Sequence, residues 1–234
     1  MTSLFTPPRR RGVEILDQPG VTAELMTRSM KDVARANALF GGTHAVLSEL
    51  RPVFEQMRGH AELLDVGTGL GDIPAAAREV ARKYGVDLRT VGIDRSLPLV
   101  AIQRGTTDAV VRGDALALPF RDKSVDIVMA SQVLHHFQFD SAVALVREMN
   151  RVARHRVVIS DLRRSRIAAA GLWAGSFALG FHPVSRHDGV VSVYRGFISQ
   201  ELADIVAAAT GKRPDMNRRL AFRLTASWDP QCQL

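Results

Sequence analysis

The amino-acid sequence predicts one α/β domain built on a seven-stranded, mostly parallel sheet. Three features predict it. From Glu62 onward, short apolar runs alternate with helix-length segments, the cadence of right-handed strand–helix–strand crossovers. The runs are apolar throughout, as strands covered on both faces must be. The first run also passes straight into a turn with glycine at every second position, Gly67, Gly69 and Gly71.

The elements follow in order. The first 20 residues, with Pro7-Pro8 before Arg9-Arg10-Arg11, read as a flexible basic tail without the apolar stretch of a secretory signal. Val21 to Phe40 reads as a helix, since Leu25, Met26, Met30, Val33, Ala34 and Leu39 fall near helical spacing. Gly41-Gly42 ends it, and a second helix runs from Thr43 to about Met57, with Pro52 expected to bend or break it. Residues 21–58 are thus a helical lid ahead of the main domain, 59–234. Strands are expected at 63–66, 88–93, 109–111, 125–131 and 157–160, and helices at 73–84, 97–104 and 141–153. An insertion covers about 163–198, helical over 167–179 and a loop over 181–195. Ser199 caps a helix to Thr210, and closing strands fall at about 214–218 and 221–225.

Bulk composition narrows the classes of function. The 234 residues, 46% hydrophobic and 24% charged, are ordinary for one globular core. No apolar run reaches the roughly 18 uncharged residues of a spanning helix. The richest, Ile167 to Phe181, is broken by Gly171, Gly175 and Gly180; it suits a greasy pocket wall or peripheral contact with a membrane. The single cysteine, Cys232, excludes an intramolecular disulfide framework and a cysteine-rich zinc site, and fits a reducing cytoplasm. A net charge of +7 attracts nucleic acid, acidic membranes or anionic substrates. The cations are scattered, however, and aromatic residues make up 6% with no interleaved basic–aromatic patch, which argues against nucleic acid. Oligomeric state is not legible.

The glycine turn is the most informative stretch. In an open parallel sheet, ligands bind outside the carboxyl end of the first strand. The dinucleotide pattern G-x-G-x-x-G sets amides against a pyrophosphate. Here the spacing is G-x-G-x-G, flanked by Asp65 and Asp72. Carboxylates there repel phosphate and suit a ligand with an ammonium or sulfonium charge; S-adenosylmethionine has both. Asp94 ends the second strand, where it can take both ribose hydroxyls or cap the next helix. Asp114 follows the third strand, either as an acceptor from an adenine amino group or as a turn residue.

These pieces resemble class I, Rossmann-like S-adenosylmethionine-dependent methyltransferases. They are LLDVGTGLGD at 63–72, VGID at 91–94, GDALALPF at 113–120 and DIVMASQVLHHF at 126–137. The resemblance implies that Asp65, Gly67 and Gly69 contact the methionine end of the cofactor. It puts Asp94 at the ribose, Asp114 and Ala115 at the adenine, and Ser131 and Gln132 near the sulfonium, with Thr68 and Arg95 also among the cofactor-binding residues. More loosely, LHHF, DLRRS at 161–165, SRHDGVVSV at 185–193 and RSMKDVARANALFGG at 28–42 are similar to methyltransferases beside type III polyketide synthases and to those of quinone biosynthesis.

Methyl transfer to oxygen gains from a base, and histidine is the natural choice near neutral pH. His135 and His136 follow the fourth strand at the cleft end, with His136 preferred, unless they only orient the loop. His187, polarised by Asp188, is the third candidate, with Arg186–Asp188 pairing as the bland alternative. His182, His187 and Asp188 show no metal-ligand spacing, so no metal is expected. Trp173, Phe177, Leu179 and Phe181 wall an acceptor pocket or are plain core. Arg163, Arg164, Arg166, Arg28 and Arg35 are candidates for an acidic substrate or the cofactor carboxylate. The expectation is O-methylation of a small, lipophilic aromatic natural product, a polyketide phenol or hydroxyquinone in secondary metabolism. C-methylation of such a ring is the nearest rival. An RNA-binding or RNA-modifying protein, or a non-catalytic binding protein, are the readings of other classes.

Overall fold

The computed structural model describes residues 5–102 and 106–230. Cys232 and the end of the helix expected to reach Arg104 lie outside them. The first two helices are α1 (Ala23–Leu39) and α2 (Gly42–Gln56). The alternating part comprises β1 (Gly59–Val66), α3 (Asp72–Lys83), β2 (Val86–Asp94), α4 (Leu97–Ile102), β3 (Ala109–Arg112), β4 (Val125–Ser131), α5 (Phe139–Val152) and β5 (Ala153–Leu162). Then come α6 (Arg166–Ala178), α7 (Pro183–Arg195), α8 (Ser199–Thr210), β6 (Asp215–Arg219) and β7 (Arg223–Trp228).

The seven strands lie in the order β3-β2-β1-β4-β5-β7-β6. All neighbours are parallel except β7, which runs antiparallel to β5 and β6. Successive strand residues enter opposite cores, as the continuous apolar runs require. Leu64, Val128 and Val157 pack with residues of α5 and α8, whereas Leu63, Ile127 and Val158 pack with residues of α2 and α3. Strand order reverses between β2 and β4 on either side of β1. That switch point opens a crevice at the carboxyl ends of β1 and β4.

Several expectations are corrected. Pro52 lies inside α2 without ending it, because Val46, Leu50 and Phe54 are packed in the core on both sides of it. The stretch 181–195, expected as a loop, is largely α7, with Pro183 in its first turn and the His182 ring accepting from Val184 N. Its Gly189 reads as a helix breaker, but a Cβ there would come within 2.9 Å of Leu172 Cδ2. The glycine lets α6 and α7 approach. Ser199 is the first residue of α8 and Ile198 its cap.

The expected flexible tail is also corrected over its described part. Arg9 Nε donates to Arg195 O and Arg10 N to Tyr194 O. The buried Asp188 carboxylate accepts from Ile15 N (2.8 Å) and Leu16 N (2.9 Å), fixing a short 3-10 turn at Ile15–Asp17. Asp188→Ala is therefore expected to lower stability by about 1–3 kcal/mol, since it strands these amides. A chemical-denaturation midpoint equal to wild type would show that Asp188 does not hold the segment.

Candidate active site

The turn after β1 has left-handed backbone at Gly67, Gly69 and Gly71, with φ of 71°, 55° and 74°. Side chains rarely adopt this conformation, which explains the glycine at every second position. Gly67 N and Thr68 N both donate to Ile93 O, tying the turn to the end of β2. The result is an open cradle of backbone at the head of α3.

This cradle is one wall of a single cavity of about 650 Å³. Every residue expected at the cofactor lines it: Asp65, Gly67, Thr68, Gly69, Asp94, Arg95, Asp114, Ala115, Ser131 and Gln132. Asp65 is buried, and burial, with Asp72 and Asp94 adding like charge, pushes its carboxyl well above the ordinary range. Asp72 is raised as well, again chiefly by burial. Among the described residues no ion pair reaches Asp65, Asp72 or Asp94. Carboxylates without an ion-pair partner fit a cationic ligand and oppose a pyrophosphate. Asp94 also shapes the wall, accepting from Gly69 N (3.2 Å) and Ser96 N (2.8 Å), and Asp114 accepts from Leu116 N (2.9 Å). Gln132 holds φ at 58° and its side-chain amide donates to Asn37 of α1, so α1 closes over the end of β4. The Ser131 hydroxyl is buried with no hydrogen-bond partner among the described residues.

The three candidate histidines separate clearly. His135 is buried on the cavity wall, its Nδ1–H donating to Asp161 Oδ1 at 2.7 Å while its backbone amide donates to Oδ2 at 3.1 Å. Burial alone would raise the Asp161 carboxyl, but the His135 ring and the amides of Leu162 and His135 hold it below its ordinary value. With Nδ1 so engaged, Nε2 has no hydrogen-bond partner among the described residues. His136 also lines the cavity, but its Nδ1 lies 3.1 Å from Asp17 Oδ2. Burial would depress it; the Asp17 and Glu14 carboxylates more than compensate and raise it. His136 Nδ1 is thus engaged by Asp17, whereas His135 keeps an unpartnered Nε2. His187 is half-exposed, pairs with Asp188 at 2.8 Å and does not line the cavity. Arg186 does not pair with Asp188; it donates to Ser176 Oγ and stacks on Phe177.

The expected arginines are placed elsewhere. Arg164 is buried in a bidentate pair with Glu201, both contacts at 2.9 Å, and donates to Pro7 O and Gly196 O, a structural role. Arg163 stacks on Phe222 and Arg35 on Phe181. None of Arg28, Arg35, Arg163, Arg164 and Arg166 lines the cavity; Arg223 does. Arg223 is buried, which pulls its guanidinium down to about 10, and its Nη1 has no hydrogen-bond partner among the described residues. It is the best-placed cation for a carboxylate. Phe181 lines the cavity with Leu172 and Ser176, whereas Trp173 and Phe177 are 54% and 52% exposed and stack edge to face outside it.

Sequence reasoning missed Glu14, Asp17, Asn37, Asp161, Ser192 and Arg223. Their positions become meaningful only when distant segments meet; a buried-strand acid such as Asp161, in an otherwise apolar run, was the one local signal.

The fold and crevice have the arrangement expected of a class I, S-adenosylmethionine-type methyltransferase domain. Residues 64–159 match the family model described as a methyltransferase domain, which is under half of the chain. The chain is 41% identical over 95 residues to a demethylmenaquinone methyltransferase of Roseiflexus castenholzii, covering 39% of this chain and 37% of that protein. It is 30% identical over 104 residues to a protein of Bos taurus named probable tRNA methyltransferase 9B, covering 44% and 21%. The chain thus spans well under two thirds of the length of either relative. A solved structure described as a SAM-dependent methyltransferase from Aquifex aeolicus matches in fold with a TM-score of 0.62 at 16% identity, covering 88% of this chain and 98% of that one. Among the described residues, no helix is long and apolar enough to cross a membrane.

Proposed function

We propose that this protein transfers the methyl group of S-adenosylmethionine to a small, lipophilic aromatic acceptor, a phenol or hydroxyquinone. The observation that carries the reading is one continuous cavity with an acidic, glycine-lined end and an apolar end flanked by His135. When bound, the cofactor supplies an electrophilic methyl group. Asp65 and Asp72 would stabilise its cationic end, Asp94 the ribose and Asp114 with Ala115 the adenine. Arg223 offers the cavity a cation for a carboxylate.

Met26, Met30, Val33, Leu172 and Phe181 give the cavity an apolar wall for an aromatic ring and exclude water, with Met30 lying beside Gly69 of the glycine turn. The electron pair offered to an acceptor hydroxyl is that of His135 Nε2, directed by Asp161. O-transfer is favoured because this lone pair ionises a hydroxyl; a ring carbon made nucleophilic by the same ionisation is the rival target. Residues 21–58 and 163–198 act as covers in this reading, since α1 and the α6–α7 pair supply the apolar wall. The exposed apolar face of α6, with Ile167, Trp173 and Phe177, suits peripheral contact with a lipid surface, which vesicle co-sedimentation tests.

A transfer screen with radiolabelled methyl donor against polyphenols, hydroxyquinones, fatty resorcinols and RNA tests the acceptor. Label is expected in a phenol or quinone as an alkali-stable ether. Label in RNA alone, or transfer to carbon alone, would overturn the proposed acceptor chemistry.

A further inference from the structure

Glu14, His135 and His136 come together on the wall of the cavity, although Glu14 is far from both histidines in sequence. One ligand atom from each lies within 4.8 Å of the others. Nε2 of His135 is 3.8 Å from Glu14 Oε1, and Nε2 of His136 is 3.9 Å from Glu14 Oε2. The two rings stack with centroids 4.3 Å apart. Each ring is oriented from behind by a carboxylate: Asp161 at Nδ1 of His135 and Asp17 at Nδ1 of His136. Both Nε2 atoms are thereby turned toward one carboxylate.

Two imidazoles and a carboxylate around one point, each imidazole backed by a carboxylate, form the donor set and outer shell of a transition-metal site. Ligands about 2.1 Å from a tetrahedral ion stand roughly 3.4 Å apart, so atoms within 4.8 Å of one another need to close by no more than about 1.4 Å. A second observation points the same way. His135 Nε2 is buried and has no hydrogen-bond partner among the described residues, a costly state for a polar atom unless a ligand relieves it. Arg195 and Ser192 occupy Glu14 Oε1, at 2.7 and 2.9 Å, and Arg195 also lies 3.3 Å from His136 Nδ1. A carboxylate has further lone pairs, and Oε2 remains available to an ion. The cluster and the described side chains bonded to it bring three carboxylates, Glu14, Asp17 and Asp161, against the guanidinium of Arg195 and that of Arg95, which pairs with Asp17.

We propose that Glu14, His135 and His136 bind one divalent first-row transition ion, and that the acceptor's hydroxyl oxygen completes its coordination. The second half rests on the methyltransferase reading; the first does not. A Lewis acid at this point deepens the role of His135, whose lone pair then acts on the acceptor through the ion. The balance is simple. The coordinated hydroxyl gives its proton to water, its oxygen bonds the methyl carbon, and the sulfur–carbon pair stays on sulfur.

The protein, stripped with a chelator and free of cofactor, is titrated with Zn²⁺ and with Co²⁺. One ion per chain is expected, with visible d–d absorption for Co²⁺. Glu14→Gln, which keeps the side chain's shape, and His135→Ala should each weaken the ion by at least ~100-fold, and Asp161→Asn by about 10–100-fold. A wild-type protein that is folded by circular dichroism but takes up neither ion at millimolar concentration overturns the site. Unchanged affinity in both Glu14→Gln and His135→Ala does the same. A chain that binds the ion but not S-adenosylmethionine sinks the methyltransferase reading and leaves the ion site standing, so the two fail separately.

Discussion

His135→Ala is expected to lower turnover by about 10²–10⁴-fold while cofactor affinity stays at its wild-type value. The expectation follows from the direction of one lone pair. Asp161 accepts a hydrogen bond from Nδ1–H at 2.7 Å, its carboxyl held below its ordinary value by the His135 ring and two amides, and Nε2 has no hydrogen-bond partner among the described residues. Asp161→Asn should reproduce much of the loss, since an amide can donate to Nδ1 and select the wrong tautomer. His187→Ala is the contrasting variant. Its ring is half-exposed and off the cavity wall, so its turnover should match wild type. Single-turnover measurements separate the two residues, and full turnover in His135→Ala would remove that ring from the chemistry.

The second large effect concerns Asp65. Asp65→Asn should weaken S-adenosylmethionine by about 1–3 kcal/mol, roughly 5- to 150-fold, if the buried carboxylate meets the cofactor's cationic end. The sign of the pH dependence follows from its raised pKa. In the free protein Asp65 keeps its proton to a higher pH than an ordinary aspartate, because burial and the neighbouring acids disfavour the charge. A cationic ligand stabilises the ionised form, so binding below that pKa must expel a proton. Affinity should therefore rise with pH, by up to about tenfold per unit, and level off once Asp65 ionises by itself. Calorimetry in buffers of different ionisation heat should detect the released proton, and Asp65→Asn should abolish the release. Binding heats independent of buffer in the wild type would show that Asp65 is not the cation's partner.

How much of this was legible in the sequence depends on the range of the interactions involved. The crevice was legible because its parts are local. A strand, a glycine turn and a helix lie within 63–83, and strand-end acids recur one unit apart at Asp65, Asp94 and Asp114. The catalytic end was legible only as a pair of adjacent histidines. Choosing between them required Asp161, Asp17 and Glu14, which no spacing links to 135 or 136. The helix α7 was hidden for a different reason. Gly189 serves close packing on Leu172, so a residue that signals a break in isolation permits a helix in context.

By itself the sequence determined the sheet, its covered faces and the charge of the cofactor crevice. Apolar periodicity, left-handed glycine positions and strand-end carboxylates act over a few residues and are written in order. Only the tertiary structure decided which histidine keeps an unpartnered Nε2, that residues 9–17 are pinned to α7, and that Glu14 meets two imidazoles. Those outcomes depend on burial and on contacts between segments 26 to 186 residues apart, where the field at a side chain is set by neighbours that chain order does not specify.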